Sequence, residues 1–301
     1  MLDSTKKGVR SVGLALRFTV VEKRKATLED FLRHHHFSKK SLVALKHRGG
    51  HVAINGAFAL LKAEVYEGDV VTVKFADEVV SEHLRSVVMP LDIVHEDDYL
   101  LIVNKPAGLP VMPAGVHSTS LANGILNHYE KIGLKTTVHF VNRLDRGTSG
   151  LLIVAKYKHI HHLMTLSGTT VNRKYYALVE GTVYDKDTVN APIYRPEISS
   201  IKRKVAPQGQ HAITHYEPVA HFAETTLLRC TLETGRTHQI RVHMAHICHP
   251  IVDDPLYGEL KYGKEDLNED QLLHSYAVAF THPISGEFLI FETEVPARFG
   301  I

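Results

Sequence analysis

One carboxylate in this 301-residue chain lies in a setting suited to chemistry. Asp145 stands between Arg143 and Arg146, in a polar loop that runs directly into the apolar residues 151–155. Neighbouring cations favour the ionised form of a carboxyl group, so we expect Asp145 to be an anion at neutral pH, suited to act as a nucleophile or a base. The same residue could equally cap or salt-bridge its own loop, and this segment alone does not separate the two interpretations.

A second group of polar side chains follows a glycine further along the chain. Residues 235–243 read Gly-Arg-Thr-His-Gln-Ile-Arg-Val-His and place hydrogen-bond donors at close intervals. Upstream, Arg173 and Lys174 form a basic entry to an aromatic-rich segment that begins at Tyr175. Together these two segments favour the catalytic interpretation of Asp145 over the structural one.

The apolar pattern indicates the elements that must position these residues. Residues 93–103 read as a strand, an acidic turn and a second strand, followed by a loop that Pro106 and Gly108 sharpen. Residues 151–155 are typical of a buried strand. A mixed, mildly acidic stretch over residues 76–90 predicts a boundary between two domains, 1–85 and 86–301.

The N-terminal part predicts a small basic module. Apolar residues alternate from Val12 to Val20 as in a half-buried strand, Thr27 and Ser38 open two short helices, and Asn55-Gly56 is a strong hairpin signal. Residues 1–50 hold 12 Lys or Arg against 4 Asp or Glu, a balance typical of a module that contacts a polyanion. The order of elements over residues 26–75 resembles the alpha-L RNA-binding module of a small-subunit ribosomal protein. This resemblance implies that RNA phosphates are held by Lys39, Lys40, Lys46 and Arg48.

The larger domain also carries family motifs, in a fixed order. Asn-Lys-Pro-Ala-Gly at 104–108 is followed by Arg-Leu-Asp-x-x-Thr-Ser-Gly-Leu-Leu at 143–152, the Tyr175 segment, and the motif at 235–243. Over residues 91–300 this order resembles the RluA family of RNA pseudouridine synthases. The resemblance implies an α+β fold with a mixed, largely antiparallel central sheet split by a catalytic cleft. It implies isomerisation of a uridine in RNA to pseudouridine, a reaction that requires no cofactor.

The resemblance assigns roles to individual residues. Asp145 matches the catalytic aspartate, Arg241 its guanidinium partner, and Tyr175 the tyrosine that stacks on the target base. Arg143 matches the residue expected to fill the space that the extruded base leaves. Further RNA or base contacts are expected from Asn104, Lys105, Arg236, His238 and Gln239.

Two positions depart from the family pattern. Asn142 stands where the family has a histidine, so a protonatable role is in doubt there. Asp253 stands where a glycine is common, and we expect little damage because Asp tolerates a left-handed backbone.

Several alternatives stay open at this stage. Large-subunit (23S) ribosomal RNA is the favoured substrate, with transfer RNA as the alternative, and a non-catalytic protein could bind structured RNA in the same cleft. A zinc hydrolase could be built on His243, His246, Cys248 and His249, whose spacings suit one helix face. With no apolar stretch of membrane-spanning length, no secretory signal and only two cysteines, we expect a cytoplasmic monomer without membrane contact.

Overall fold

The computed structural model describes residues 14–22, 25–47, 49–113, 119–166, 169–258 and 270–301, except that the side chains of 46 and 47 are not described. In these ranges no helix combines the length and hydropathy needed to cross a membrane. Val12, where the predicted N-terminal strand begins, lies outside them.

The first part of the chain folds around a four-stranded antiparallel sheet and two helices. Its elements are β1 (Ala15–Thr19), β2 (Ala26–Thr27), α1 (Leu28–His34), α2 (Lys39–His47), β3 (His51–Ile54), β4 (Ala57–Phe58), β5 (Glu64–Val65) and β6 (Val70–Lys74). The sheet has the order β1-β6-β3-β4, and β2 pairs separately with β5. This arrangement confirms the predicted strand, helix pair and hairpin.

Local hydrogen bonds explain where these helices and the hairpin begin. Thr27 Oγ1 accepts the Asp30 N–H at 3.1 Å, which caps α1, and Ser38 Oγ accepts the Ser41 N–H at 3.1 Å, which caps α2. Asn55 and its neighbouring glycine have φ values of 51° and 85°, as a two-residue hairpin turn requires.

The remaining elements form or surround a second, larger sheet. They are β7 (Ile93–Glu96), β8 (Leu100–Lys105), α3 (Leu121–Lys131), β9 (His139–Phe140), β10 (Ser149–Ala155), α4 (Lys158–Met164), β11 (Val171–Glu180), β12 (Asp187–Asn190), β13 (Ile193–Tyr194), β14 (Lys204–Val205), β15 (Ile213–His221), β16 (Thr225–Leu232), α5 (Gln239–His246), β17 (Leu273–Thr281), β18 (Phe288–Glu292) and a 3₁₀ turn (Ala297–Phe299). The sheet order is β12-β15-β16-β11-β17-β10-β8-β7, with β9 also on β10 and β18 also on β17.

This sheet is antiparallel except at one central junction. Strands β10 and β17 run parallel, pairing Ser149 with His274 and Gly150 with Ser275. Gly150 has φ +111°, and a Cβ there would lie 2.3 Å from the Ser275 carbonyl oxygen, so only glycine fits. The predicted mixed, largely antiparallel sheet is confirmed, and the parallel junction lies directly after the Asp145 loop.

The two sheets share a hydrophobic core. Phe37 of the N-terminal part stacks on His159 of α4 at 4.2 Å between ring centroids, and Phe75 stacks on the same ring at 5.2 Å. His159 is 4% exposed, and neither of its ring nitrogens has a hydrogen-bond partner. Burial lowers the pKa of His159 to about 4, with His162 and His36 adding to the shift, so the ring is neutral at pH 7.

Candidate active site

Asp145 lies in the loop that enters β10, at an open position. Its side chain is 26% exposed, which leaves the carboxylate accessible to a ligand. Arg241 Nη1–H donates to Asp145 Oδ2 at 2.9 Å. The predicted pair between two residues that are 96 positions apart is therefore present.

A shared core holds the loop and the helix that carry this pair. Leu144, next to Asp145, and Ile240, next to Arg241, belong to the same cluster of buried apolar side chains. Their burial fixes the backbone on both sides of the ion pair, so the carboxylate and the guanidinium meet without relying on surface side chains.

Arg241 is aimed by a second carboxylate. Arg241 Nε–H and Nη2–H donate to Asp254 Oδ2 and Oδ1 at 2.7 and 2.8 Å, a bidentate pair. Asp254 Oδ1 also accepts the backbone N–H groups of Leu256 and Tyr257. Burial by itself would lower the pKa of Arg241, but Asp254 and then Asp145 outweigh it, and the pKa is raised. The guanidinium stays charged and presents its remaining Nη1 edge to Asp145.

His238 completes the wall of the site. It precedes α5 with a left-handed backbone, φ 58°, and its Nε2 lies 3.8 Å from Asp145 Oδ2. Its Nδ1 is 2.9 Å from the Tyr257 hydroxyl, which accepts the Arg203 backbone N–H at 2.7 Å. Burial lowers the pKa of His238, with Asp145 opposing the shift, so the imidazole is neutral at pH 7. If Tyr257 donates to Nδ1, the ring proton is on Nε2 and faces Asp145.

Tyr175 lies on β11 at a β-bulge between Lys174 and Tyr175, opposite Ser275 of β17. It is 5% exposed and packs in the core beneath the site. Burial raises the pKa of Tyr175, Arg173 and Ser275 oppose the rise, and Asp145 adds to it. Tyr176 faces the other way and stacks on Tyr276 at 4.0 Å.

Two of the residues predicted to contact RNA are buried. Lys105 is 1% exposed, and its Nζ donates to the carbonyls of Pro106, Leu109 and Arg146 at 2.8–2.9 Å. Burial lowers the pKa of Lys105 to about 7, with Asp270 and Asp145 opposing the shift. The contact of Lys105 with RNA stays a prediction, and in this structure its ammonium group is turned inward and braces the loop that carries Asp145.

Gln239 is likewise 3% exposed and fully engaged. Its Oε1 accepts the Thr234 hydroxyl and the Arg236 N–H, and its Nε2 donates to the Ile213 carbonyl at 2.8 Å. The contact of Gln239 with RNA also stays a prediction, and in this structure its amide joins the start of α5 to β15.

The other predicted contacts lie at or near the surface. Arg143 is exposed, and within the described ranges its guanidinium makes no hydrogen bond or ion pair. Asn104 Nδ2 donates to Asp92 Oδ2 at 2.8 Å, and Arg236 Nε donates to the His211 carbonyl at 3.0 Å. Lys39 and Lys40 are exposed on α2, whereas the side chain of Lys46 and all of Arg48 lie outside the described residues.

His243, the first of the candidate zinc ligands, already has partners at both ring nitrogens. His243 is buried, with Nδ1 at 2.8 Å from the Thr214 hydroxyl and Nε2 at 2.9 Å from the Ala191 carbonyl. His249 Nδ1 lies 2.8 Å from the Glu180 carbonyl. In the described ranges no three His, Cys, Asp or Glu side chains gather as metal ligands would. These histidines hold strands and α5 together.

The sequence interpretation missed Asp254 and Tyr257. Both lie in the Asp-Pro-Leu-Tyr-Gly segment, which was a usable signal in the sequence, but the contact between this segment and Arg241 arises only in the folded chain.

The structure accommodates the two departures from the family pattern. Asn142 Oδ1 accepts the Ile153 N–H at 2.8 Å, and Asp253 takes a left-handed backbone with φ 59°.

Comparisons with known proteins agree on one family. The family model described as RNA pseudouridylate synthase matches residues 99–246. The chain is 40% identical over 274 residues to the uncharacterized RNA pseudouridine synthase YjbO of Bacillus subtilis, covering 90% of this chain and 95% of that protein. It is 38% identical to ribosomal large subunit pseudouridine synthase D of Vibrio cholerae, covering 82% of this chain and 80% of that protein.

A solved structure shows the same fold. Human RNA pseudouridylate synthase domain containing 1 superposes with a TM-score of 0.55 at 24% identity, covering 69% of this chain and 85% of that chain. The chain belongs to the RluA family of RNA pseudouridine synthases, which isomerise uridine to pseudouridine within RNA.

Proposed function

We propose that this enzyme forms pseudouridine in large-subunit ribosomal RNA and that Asp145 is its catalytic carboxylate. The observation that carries the proposal is the chain of charges Asp254–Arg241–Asp145, in which the Asp145 end alone is open. The relative from Vibrio cholerae is named ribosomal large subunit pseudouridine synthase D, and this supports ribosomal RNA as the substrate.

The ion pair prepares the carboxylate for its reaction. Arg241 occupies Oδ2 of Asp145, and within the described ranges Oδ1 accepts no hydrogen bond. A carboxylate held at one oxygen by a fixed cation is aimed and kept ionised, while its other oxygen is available to the nucleoside. The reaction breaks the bond from uracil N1 to the ribose, joins C5 to the ribose, and moves a proton from C5 to N1. Attack on the sugar, attack on uracil and removal of a ribose proton would each use this anion.

The target uridine must leave the helical stack before it reaches Asp145, at a cost of a few kcal/mol. We propose that Arg143, whose guanidinium is unpaired within the described ranges, fills the vacated space. Tyr175 would contact the uracil from its position at the edge of the core, where the residue is 5% exposed. Stacking of this kind is worth on the order of 1–3 kcal/mol per base.

The N-terminal part would add a second contact with RNA. We propose residues 1–85 as an RNA-binding domain and residues 86–301 as the catalytic domain. Lys39 and Lys40 support this because both are exposed on α2. Phosphate contacts from this helix would increase affinity without specifying sequence.

The substrate class can be tested by mapping pseudouridines in ribosomal and transfer RNA from a strain that lacks this protein. We expect one or more positions to disappear from large-subunit ribosomal RNA and to return when the wild-type gene is restored. Loss confined to transfer RNA would contradict the proposed substrate and support the same chemistry on the other RNA class.

A further inference from the structure

A cleft of about 350 Å³ lies beside the active site and does not include Asp145. Ile193 and Tyr194 of β13, residues 208–210 and three arginines form its walls. Gly209 allows this shape, because a Cβ there would lie 2.5 Å from the backbone of Ile193. Backbone hydrogen bonds between Ile193 and Gln210, at 2.8 and 2.9 Å, fix the same wall.

The three arginines of the cleft are held in place without being neutralised. Arg195 Nε donates to the Ser200 carbonyl at 3.2 Å, and its Nη2 donates to the Ile198 carbonyl. Arg203 Nη1 donates to the Ser200 and Ile201 carbonyls, and Arg236 Nε donates to the His211 carbonyl.

Carbonyl groups orient a guanidinium but do not cancel its charge. Across the described ranges, no Asp or Glu forms an ion pair with Arg195, Arg203 or Arg236. Each arginine also keeps N–H groups that these carbonyls do not use. Positively charged, forked donors of this kind match the geometry of a phosphate group.

The cleft is connected to the catalytic carboxylate through Tyr257. The Arg203 backbone N–H donates to the Tyr257 hydroxyl, which contacts His238 at 2.9 Å, and His238 lies 3.8 Å from Asp145. Arg236 also lies two residues before His238 in the chain. An RNA strand that delivers a nucleoside to Asp145 would therefore pass its backbone close to the cleft.

We propose that the cleft binds a backbone phosphodiester of the RNA strand close to the target uridine, with Arg195, Arg203 and Arg236 as its ligands. This inference rests on the proposed function, because it takes RNA as the molecule that reaches Asp145. It assigns to the loop around residues 195–203 a task separate from the chemistry. The bound phosphate fixes the position of the strand relative to the open oxygen of Asp145.

The test compares two probes that differ only in backbone charge. The full chain is titrated with an oligouridylate with ordinary phosphodiester linkages and with the same oligomer with uncharged methylphosphonate linkages. The variants are Arg195→Gln and Arg203→Gln, and Lys186→Gln serves as a control because it removes one exposed charge outside the cleft.

We expect each arginine variant to bind the phosphodiester probe about tenfold more weakly, and its salt dependence to fall by roughly 0.7 in the log–log slope. Binding of the uncharged probe should change less than about twofold, and Lys186→Gln should bind both probes like the wild type. The proposal is overturned if the wild type does not distinguish the probes, if the arginine variants weaken both equally, or if the control loses as much affinity.

Pseudouridine formation by the wild type on large-subunit ribosomal RNA separates this result from the proposed function. If the wild type is active on that RNA but probe binding does not depend on the arginines, only the proposed phosphate site is refuted. If the wild type is inactive on that RNA but its arginines still distinguish the two probes, the proposed substrate is refuted and the phosphate site stands.

Discussion

The substitution Asp254→Asn tests how the site aims Arg241. Asp254 is buried and accepts two N–H groups from Arg241 and two from the backbone. Asparagine has the same shape, but it replaces one acceptor oxygen with an NH₂ group. That NH₂ would face a guanidinium N–H, so one of the two bonds to Arg241 is lost and a buried cation loses half of its neutralisation.

The expected magnitudes follow from this geometry. Removing one partner of a buried ion pair costs about 3–5 kcal/mol, and we expect the lower end because Arg241 keeps its bond to Asp145. A guanidinium freed from its bidentate partner no longer fixes the carboxylate, and a misplacement near 1 Å lowers kcat on the order of 100-fold. The Asp254 side chain is 0% exposed and cannot contact RNA, so KM should change little.

The assay is tritium release from RNA labelled at uridine C5, run at single turnover and at steady state, well below the unfolding temperature. Urea unfolding followed by circular dichroism gives the loss of stability. Asp98→Asn is the matched control, since Asp98 is exposed, and it should leave both quantities unchanged. Wild-type kcat in folded Asp254→Asn would refute the claim that Asp254 positions Arg241.

Two further predictions concern stability. The pKa of His159 is about 4 in the folded protein against 6.5 when unfolded. Because the folded state binds fewer protons than the unfolded state, the free energy of unfolding falls by about 3 kcal/mol as the pH falls from 6.5 to 4. His159→Phe keeps the stacking on Phe37 and Phe75 and should remove this loss of stability, which urea unfolding at pH 6.5 and pH 4 would measure. Equal losses in the variant and the wild type would contradict the assignment of this pH dependence to His159. Gly150→Ala should cost several kcal/mol because its Cβ would collide with the neighbouring strand, whereas Gly133→Ala, with φ +73° and open space, should cost about 1 kcal/mol in thermal unfolding. Equal losses of stability in the two variants would contradict the predicted collision of a Cβ at position 150 with the neighbouring strand.

Sequence patterns predicted the parts of the site that depend on local order along the chain. Thr27 and Ser38 were predicted as helix starts from their positions before apolar periodic segments. The Asp145–Arg241 pair, whose members are 96 residues apart, was predicted only through the resemblance of two motifs to a known family. The left-handed backbone at Asp253 was also foreseen, because few residue types replace glycine at low cost.

The direction in which a side chain points was beyond the sequence. Lys105 and Gln239 lie in motifs that build the site, yet both face inward, because unsatisfied carbonyl and hydroxyl groups of other segments surround them only after folding. Asp254 was missed for the same reason, since its partner is on α5 and nothing in the local pattern identifies a buried guanidinium there. Burial and long-range pairing therefore set the limit of the prediction.

The central claim is that Asp145 performs the chemistry, and one measurement tests it most directly. Purified Asp145→Asn is assayed for pseudouridine in a transcript of large-subunit ribosomal RNA and, in parallel, for binding to that transcript. Asparagine preserves the shape and an acceptor for Arg241 but cannot act as nucleophile or base. We predict that pseudouridine formation disappears while affinity stays within about threefold of the wild type, a difference below 1 kcal/mol. Pseudouridine formation at the wild-type rate by this variant would contradict the account.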